Sequence, residues 1–217
     1  LETVYFDSIE TLLGSFSRDG RKFYTVANPI DGGNYVYCVH LDSGFAVTKY
    51  STPTPNPYHV VPSDDERCLY LYYQTALWTG RFEVYDIAAD SVIYFDYVSP
   101  GQGWVGKPSA QYVLYTNPGP FYDMGQPPPP NAIYVYGIES NSFVKEISTS
   151  GYYADDTVRD STTVGDVVIT ADGRWAVGVD YAKRFVAVDL STLTVVRFEK
   201  LGPPLVSFSR VVTPQPN

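Results

Sequence analysis

Apolar and polar positions alternate with a period of two in short runs along nearly the whole chain. "YVYCVH" at 35–40, "FEVYDI" at 82–87, "IYVYGI" at 133–138 and "FVAVDL" at 185–190 are the clearest. Runs of this length bounded by Gly, Pro, Asn, Asp and Ser predict strands, because alternate side chains of a strand point to opposite faces. No long run of Ala, Leu, Glu and Lys at helical period appears. The pattern predicts an all-β chain.

The strands recur as a unit. Segments starting at Ser15, Val60, Val105 and Val167 repeat one series of events. A short apolar strand ends in Ser or Thr, and a polar turn follows: Asp19-Gly20, Asp64-Asp65 and Asp172-Gly173, with only Ala110-Gln111 in the third copy. A second strand comes next (Lys22–Ala27, Cys68–Tyr73, Tyr112–Thr116, Trp175–Val179). A variable loop leads to a third, and a tight turn leads to a fourth. Four antiparallel strands repeated at about 40–60 residues describe one blade of a β-propeller.

The wording of the copies, "(S/T)-x-D-G-(R/K)" before a strand and "V-x-V-x-D-L-x-(T/S)" after it, resembles the YVTN-type β-propeller repeats. Residues 172–200, "DGRWAVGVDYAKRFVAVDLSTLTVVRFEK", carry the likeness best, and residues 19–49 follow closely. The third copy departs most, with Gly137 where Asp86 and Asp189 stand in its sisters. The resemblance implies a fold and assigns no chemistry.

The ends of the chain echo each other. Residues 1–17 and 193–209 agree without a gap at Leu1/Leu193, Val4/Val196, Phe6/Phe198, Leu13/Leu205, Ser15/Ser207, Phe16/Phe208 and Ser17/Ser209. The expected arrangement is one propeller domain over 1–217. It has four full blades at about 12–51, 58–97, 104–148 and 164–200, and a fifth, three-stranded blade shared between 204–217 and 1–8. Sharing hides sheet edges that would otherwise invite pairing. A piece of a larger propeller, or a homo-oligomer in which terminal strands complete a neighbour's blade, are the alternatives.

Composition narrows the partners. Charged residues are 18% of the 217, aromatics 16% with 20 Tyr, and the net charge is −9. No Lys/Arg cluster offers itself to a phosphate backbone, which argues against nucleic acid. Apolar runs are strand-length, so membrane insertion by a helix is not expected. The numbering starts at Leu, which fits a removed leader or excision from a longer chain. With low charge and abundant Tyr, Thr and Ser, the expected location is extracellular or the cell surface. Cys38 and Cys68 are either free thiols or one bridge between neighbouring sheets.

Blade topology sorts the connections into two ends. One end receives short turns such as "RDGR", "SDDE", "AADS" and "ADGR"; the other receives everything long, including 116–131 and 148–166. Loops of that length in a compact domain usually serve function or are disordered. The candidate ligand-binding residues on this long-loop face are Tyr58, Trp78, Trp104, Phe121, Tyr122, Tyr152, Tyr153, Asp155 and Asp156, flat rings beside carboxylates as in sugar recognition. The same rings would also serve to pack the loops onto the blades. His59 with Asp166 is the one acid/base pairing worth naming, since His40 occupies a mid-strand position and reads as structural. Calcium at Asp155, Asp156 and Asp160 is the one cofactor to consider. Arg159 interrupts that run and no Gly-centred ligand spacing is present, so neither a metal nor another cofactor is expected. The functional expectation is a non-catalytic extracellular recognition or assembly module for carbohydrate or protein. A small hydrolase or lyase at the channel mouth, or a subunit polymerising by strand exchange, are the rivals.

Overall fold

A computed structural model describes residues 9–29, 34–55, 57–74, 80–98, 104–116, 132–149, 164–180 and 184–200. Every regular element among them is a strand. The first sheet contains β1 (Ile9–Phe16), β2 (Lys22–Pro29), β3 (Tyr35–His40) and β4 (Ala46–Ser51). The second contains β5 (Pro57–Pro62), β6 (Cys68–Gln74), β7 (Gly80–Asp86) and β8 (Ser91–Val98). The third contains β9 (Trp104–Val105), β10 (Tyr112–Thr116), β11 (Ala132–Gly137) and β12 (Ser142–Ser148). The fourth contains β13 (Val164–Ile169), β14 (Trp175–Asp180), β15 (Arg184–Asp189) and β16 (Thr194–Lys200). Each is a four-stranded antiparallel meander in which every strand lies beside the next in sequence. The first two sheets form one compact unit and the last two another. The proposed split blade, 204–217 with 1–8, lies outside the described residues.

Burial follows strand position. All six residues of β11 are buried, as are the central residues of β3 and β7, so both faces of these strands are covered. The fourth strands are sheet edges with one open face. Val47, Ile93, Phe95, Tyr97, Phe143, Val144 and Val196, all but Phe16 of the exposed large apolar residues among the described ones, lie on them. In the first unit the core joins Tyr24, Val26, Val36 and Cys38 of the first sheet to Val60, Leu69, Leu71, Tyr73 and Tyr85 of the second. In the second unit Leu114, Ile133, Val135 and Ile147 pack with Val167, Ile169, Val186 and Val188. Each such side chain contributes about 1.5–3 kcal/mol by leaving water. Cys38 and Cys68 are both free thiols, and burial pushes both above the ordinary thiol range.

The first-to-second turns repeat one hydrogen-bonded device. The Ser63 hydroxyl donates to Asp65 Oδ1 at 2.7 Å and accepts from the Cys68 amide at 2.9 Å, while the Arg67 amide donates to Asp65 Oδ1 at 3.1 Å. Ser17, Asp19, Arg21 and Lys22 reproduce it, as do Thr170, Asp172, Arg174 and Trp175. In the third copy Ser109 alone caps the turn, accepting from Gln111 and Tyr112. Short polar side chains pin such turns by taking up backbone N–H groups that the sheet leaves over. At the other turn of each sheet, Asp86 accepts from the amides of Ala88 and Ala89, and Asp189 from that of Ser191. His40, in the corresponding place, instead bonds Thr48 Oγ1 across the strand pair at 2.9 Å.

These bonds hold four carboxylates below their ordinary pKa. Asp65 and Asp172 are lowered first by Ser63 and Thr170, Asp189 by Ser191, and Asp19 by the Arg21 amide. A depressed folded pKa means stabilisation that is complete above the unfolded carboxylate value and disappears as pH falls through the folded one. The expected result is a steeper loss of urea midpoint between pH 5 and pH 2.5 in the native sequence than in a variant with all four changed to Asn. Identical losses would show that these turns do not drive acid sensitivity.

Glu66 departs from its sister positions. It stands at φ 56° where Gly20 and Gly173 stand at 71° and 68°. Its carboxylate accepts from Lys22 Nζ and the Tyr24 hydroxyl of the neighbouring sheet, and Arg18 pairs with Asp64 at 2.7 Å alongside. The left-handed backbone disfavours a side chain there, and the ties between sheets offset that cost.

Candidate binding site at the loop ends of the strands

Strand direction places the ends of β2, β4, β6 and β8, and the starts of β3, β5 and β7, away from the capped turns. In the second sheet this loop end is chemically dense. Glu83, fully buried on β7, faces Arg81 of the same strand face, with Arg81 Nε 2.6 Å from Glu83 Oε1. The Thr54 hydroxyl, from the β4–β5 connection, donates to the same oxygen. The Tyr73 hydroxyl at the end of β6 lies beside Thr52 and Glu83, and burial with the nearby Glu83 charge pushes its pKa far up.

Arg81 reaches out of this buried group to the sheet edge. Its guanidinium carbon lies 4.3 Å from the Phe95 ring centroid and 5.4 Å from that of Tyr97, and Nη1 donates to the Tyr97 hydroxyl at 3.4 Å. Phe95 and Tyr97 are 51% and 61% exposed. The first sheet carries the same pairing with the partners exchanged between strands: Lys49 Nζ of β4 sits 3.3 Å above the Tyr35 ring of β3, and 5.9 Å from that of Tyr37. Cation–π contacts of this kind contribute about 0.5–1 kcal/mol when exposed, so they orient the rings more than they stabilise the fold.

The candidates from the sequence distribute as follows. Tyr58 is the bulge residue of β5, half-buried between the paired positions Pro57 and His59. His59 is buried opposite Tyr72. Trp104 opens β9 and Asp166 lies on β13, where it pairs with Val179. His59 belongs to the first unit and Asp166 to the second. Trp78, Phe121, Tyr122, Tyr152, Tyr153, Asp155 and Asp156, and with them the calcium candidates, lie outside the described residues. Among the described residues no group of three His, Cys, Asp or Glu side chains is gathered as a metal site requires, and no helix is long and apolar enough to cross a membrane.

Sequence reading missed Glu83, Arg81, Tyr73, Phe95 and Tyr97. One signal was present. With His40, Asp86, Gly137 and Asp189 as equivalent positions, Glu83 stands where Tyr37, Tyr134 and Val186 stand in the other copies. A charge in a repeat position otherwise filled by apolar residues marks a buried ion partner.

Comparison with known proteins bears on the fold. No protein-family model matches the sequence, and no curated protein sequence does. Among solved structures, the chain superimposes on the Cps50 (Swd1) β-propeller domain of Myceliophteria thermophila with a TM-score of 0.65 at 14% identity, covering 93% of this chain and 58% of that one. It also superimposes on hydrazine synthase of Kuenenia stuttgartiensis with a TM-score of 0.62 at 18% identity, covering 92% of this chain and 51% of that one. The fold is that of a β-propeller. At these identities the likeness concerns fold alone, and the chain spans little more than half the length of either structure.

Proposed function

We propose that this propeller is a non-catalytic recognition module that binds a protein or carbohydrate partner at the loop ends of its strands. The observation that carries the reading is the contrast between the two ends in the first unit. At the turn end the polar side chains are spent on their own turns and on ties between sheets. At the loop end, cations sit over aromatic rings at the edge strands, with Phe95 and Tyr97 largely open to solvent. Rigid rings backed by a fixed cation offer apolar contact at small entropic cost, which suits sugar faces and protein side chains alike. In the sequence, Trp78, Phe121, Tyr122, Tyr152 and Tyr153 fall in the long connections, and they belong to the reading as further candidate ligand contacts. The reading includes an extracellular setting, YVTN-type repeats and a fifth blade closed by both termini, supported by the echo between residues 1–17 and 193–209. Loss of a folded monomer on deletion of residues 1–8, which leaves β1 intact, is the check on closure.

The test of function is a glycan array and a panel of extracellular protein domains probed with the native chain and with Phe95→Ser/Tyr97→Ser. A ligand held by the native chain and weakened at least tenfold by the double change supports the reading. Binding that is indifferent to both rings moves the site elsewhere.

A further inference from the structure

We propose that Tyr73, Arg81 and Glu83 enclose a site for one water-sized, neutral hydroxyl group, held as an integral part of the second sheet. Three buried atoms carry it: Glu83 Oε2, Tyr73 Oη and Arg81 Nε make no hydrogen bond of good geometry, although the Tyr73 hydroxyl lies close to Thr52 and Glu83. Arg81 Nε lies within 2.6 Å of Glu83 Oε1, yet its N–H is not aimed at that oxygen. Buried polar groups in native proteins almost always have partners, and three orphans in one place are the mark of a shared one.

The chemistry of the three atoms selects the guest. Glu83 Oε2 only accepts, Arg81 Nε only donates, and the Tyr73 hydroxyl does either. A guest that both donates and accepts satisfies all three, as a hydroxyl group does and a simple cation or anion does not. Charge points the same way. The carboxylate and the guanidinium already neutralise each other, so an ionic guest would itself be buried without compensation. Closure excludes bulk solvent: Tyr73 and Glu83 have no exposed surface, and only the Arg81 side chain, at 19%, reaches it. Water donates to Glu83, accepts from Arg81 and completes its third bond with Tyr73. Because Thr54 donates to the same carboxylate, the guest ties β6 and β7 to the β4–β5 connection. The inference stands whether or not the exposed rings bind a partner.

The test is a high-resolution crystal structure of the full chain grown without polyols, together with oxygen-17 relaxation dispersion, which counts long-lived internal waters. The expected result is one spherical density peak within hydrogen-bonding distance of at least two of the three atoms. Arg81→Met/Glu83→Leu is expected to lose one long-lived water. Direct bonds among the three side chains with no density between them would overturn the proposal, as would density for a larger molecule or an unchanged water count in the double variant. If that variant does not fold, the native crystal structure decides alone.

Discussion

Arg81→Ala destabilises the protein by about 3–5 kcal/mol, and removing both charges costs less than removing one. The asymmetry follows from burial. Glu83 has no exposed surface, and Arg81 is its only described cationic partner. Truncating the arginine strands a carboxylate in a low-dielectric setting, whereas replacing a buried pair with apolar residues of similar volume is often neutral or stabilising. In Tyr73→Phe/Arg81→Met/Glu83→Leu no member of the group remains to be desolvated, apart from the Thr54 hydroxyl. Arg81→Ala also gives up the contacts with Phe95 and Tyr97, a smaller loss of about 0.5–1 kcal/mol. Urea unfolding of the native chain, the single variant and the triple variant makes the comparison. A triple variant less stable than Arg81→Ala would mean that the pair is a net source of stability rather than a local compensation.

The same residues show what a sequence reveals of such a fold and what it withholds. The turn device is legible because its parts lie within five residues of one another: Ser63, Asp65 and Cys68 announce the bonds that they make. Strand alternation is legible for the same local reason, and "YVYCVH" and "RFVAVD" form β3 and β15. Glu83 is different. In an alternating strand a glutamate reads as a solvent-facing position, and its burial depends on β6 and β8 to either side and on the first sheet packed across it. None of these is a near neighbour in sequence. Phe95 and Tyr97 fail in the opposite direction. Their alternation announces a common face, but their exposure comes from the edge position of β8, which only the assembled sheet defines. Aromatic-rich loops drew attention to the loop ends of the strands, while the cations that contact the described rings sit within the strands themselves.

Gly106→Val is expected to cost about 3 kcal/mol, through a backbone that cannot yield rather than a lost contact. Gly14, Val60, Gly106 and Val167 occupy equivalent places, each three residues before the Ser or Thr that caps the turn. At Gly106 an added Cβ would meet the Val167 carbonyl oxygen at 2.7 Å, closer than real Cβ contacts come. That carbonyl belongs to β13, and Val167 is itself buried in the core of the second unit, so relief requires moving a packed strand. Gly106 also donates its amide to Leu114 at 2.8 Å, which fixes it from the other side. Gly20 supplies the contrast. It stands at φ 71° with open space around it, so Gly20→Ala meets only conformational strain, about 1 kcal/mol. Urea midpoints should therefore fall in the order native, Gly20→Ala, Gly106→Val, with Gly106→Ala between the last two. A Gly106→Val midpoint equal to that of Gly20→Ala would show that the backbone at Gly106 and β13 yields where this packing requires it to be fixed.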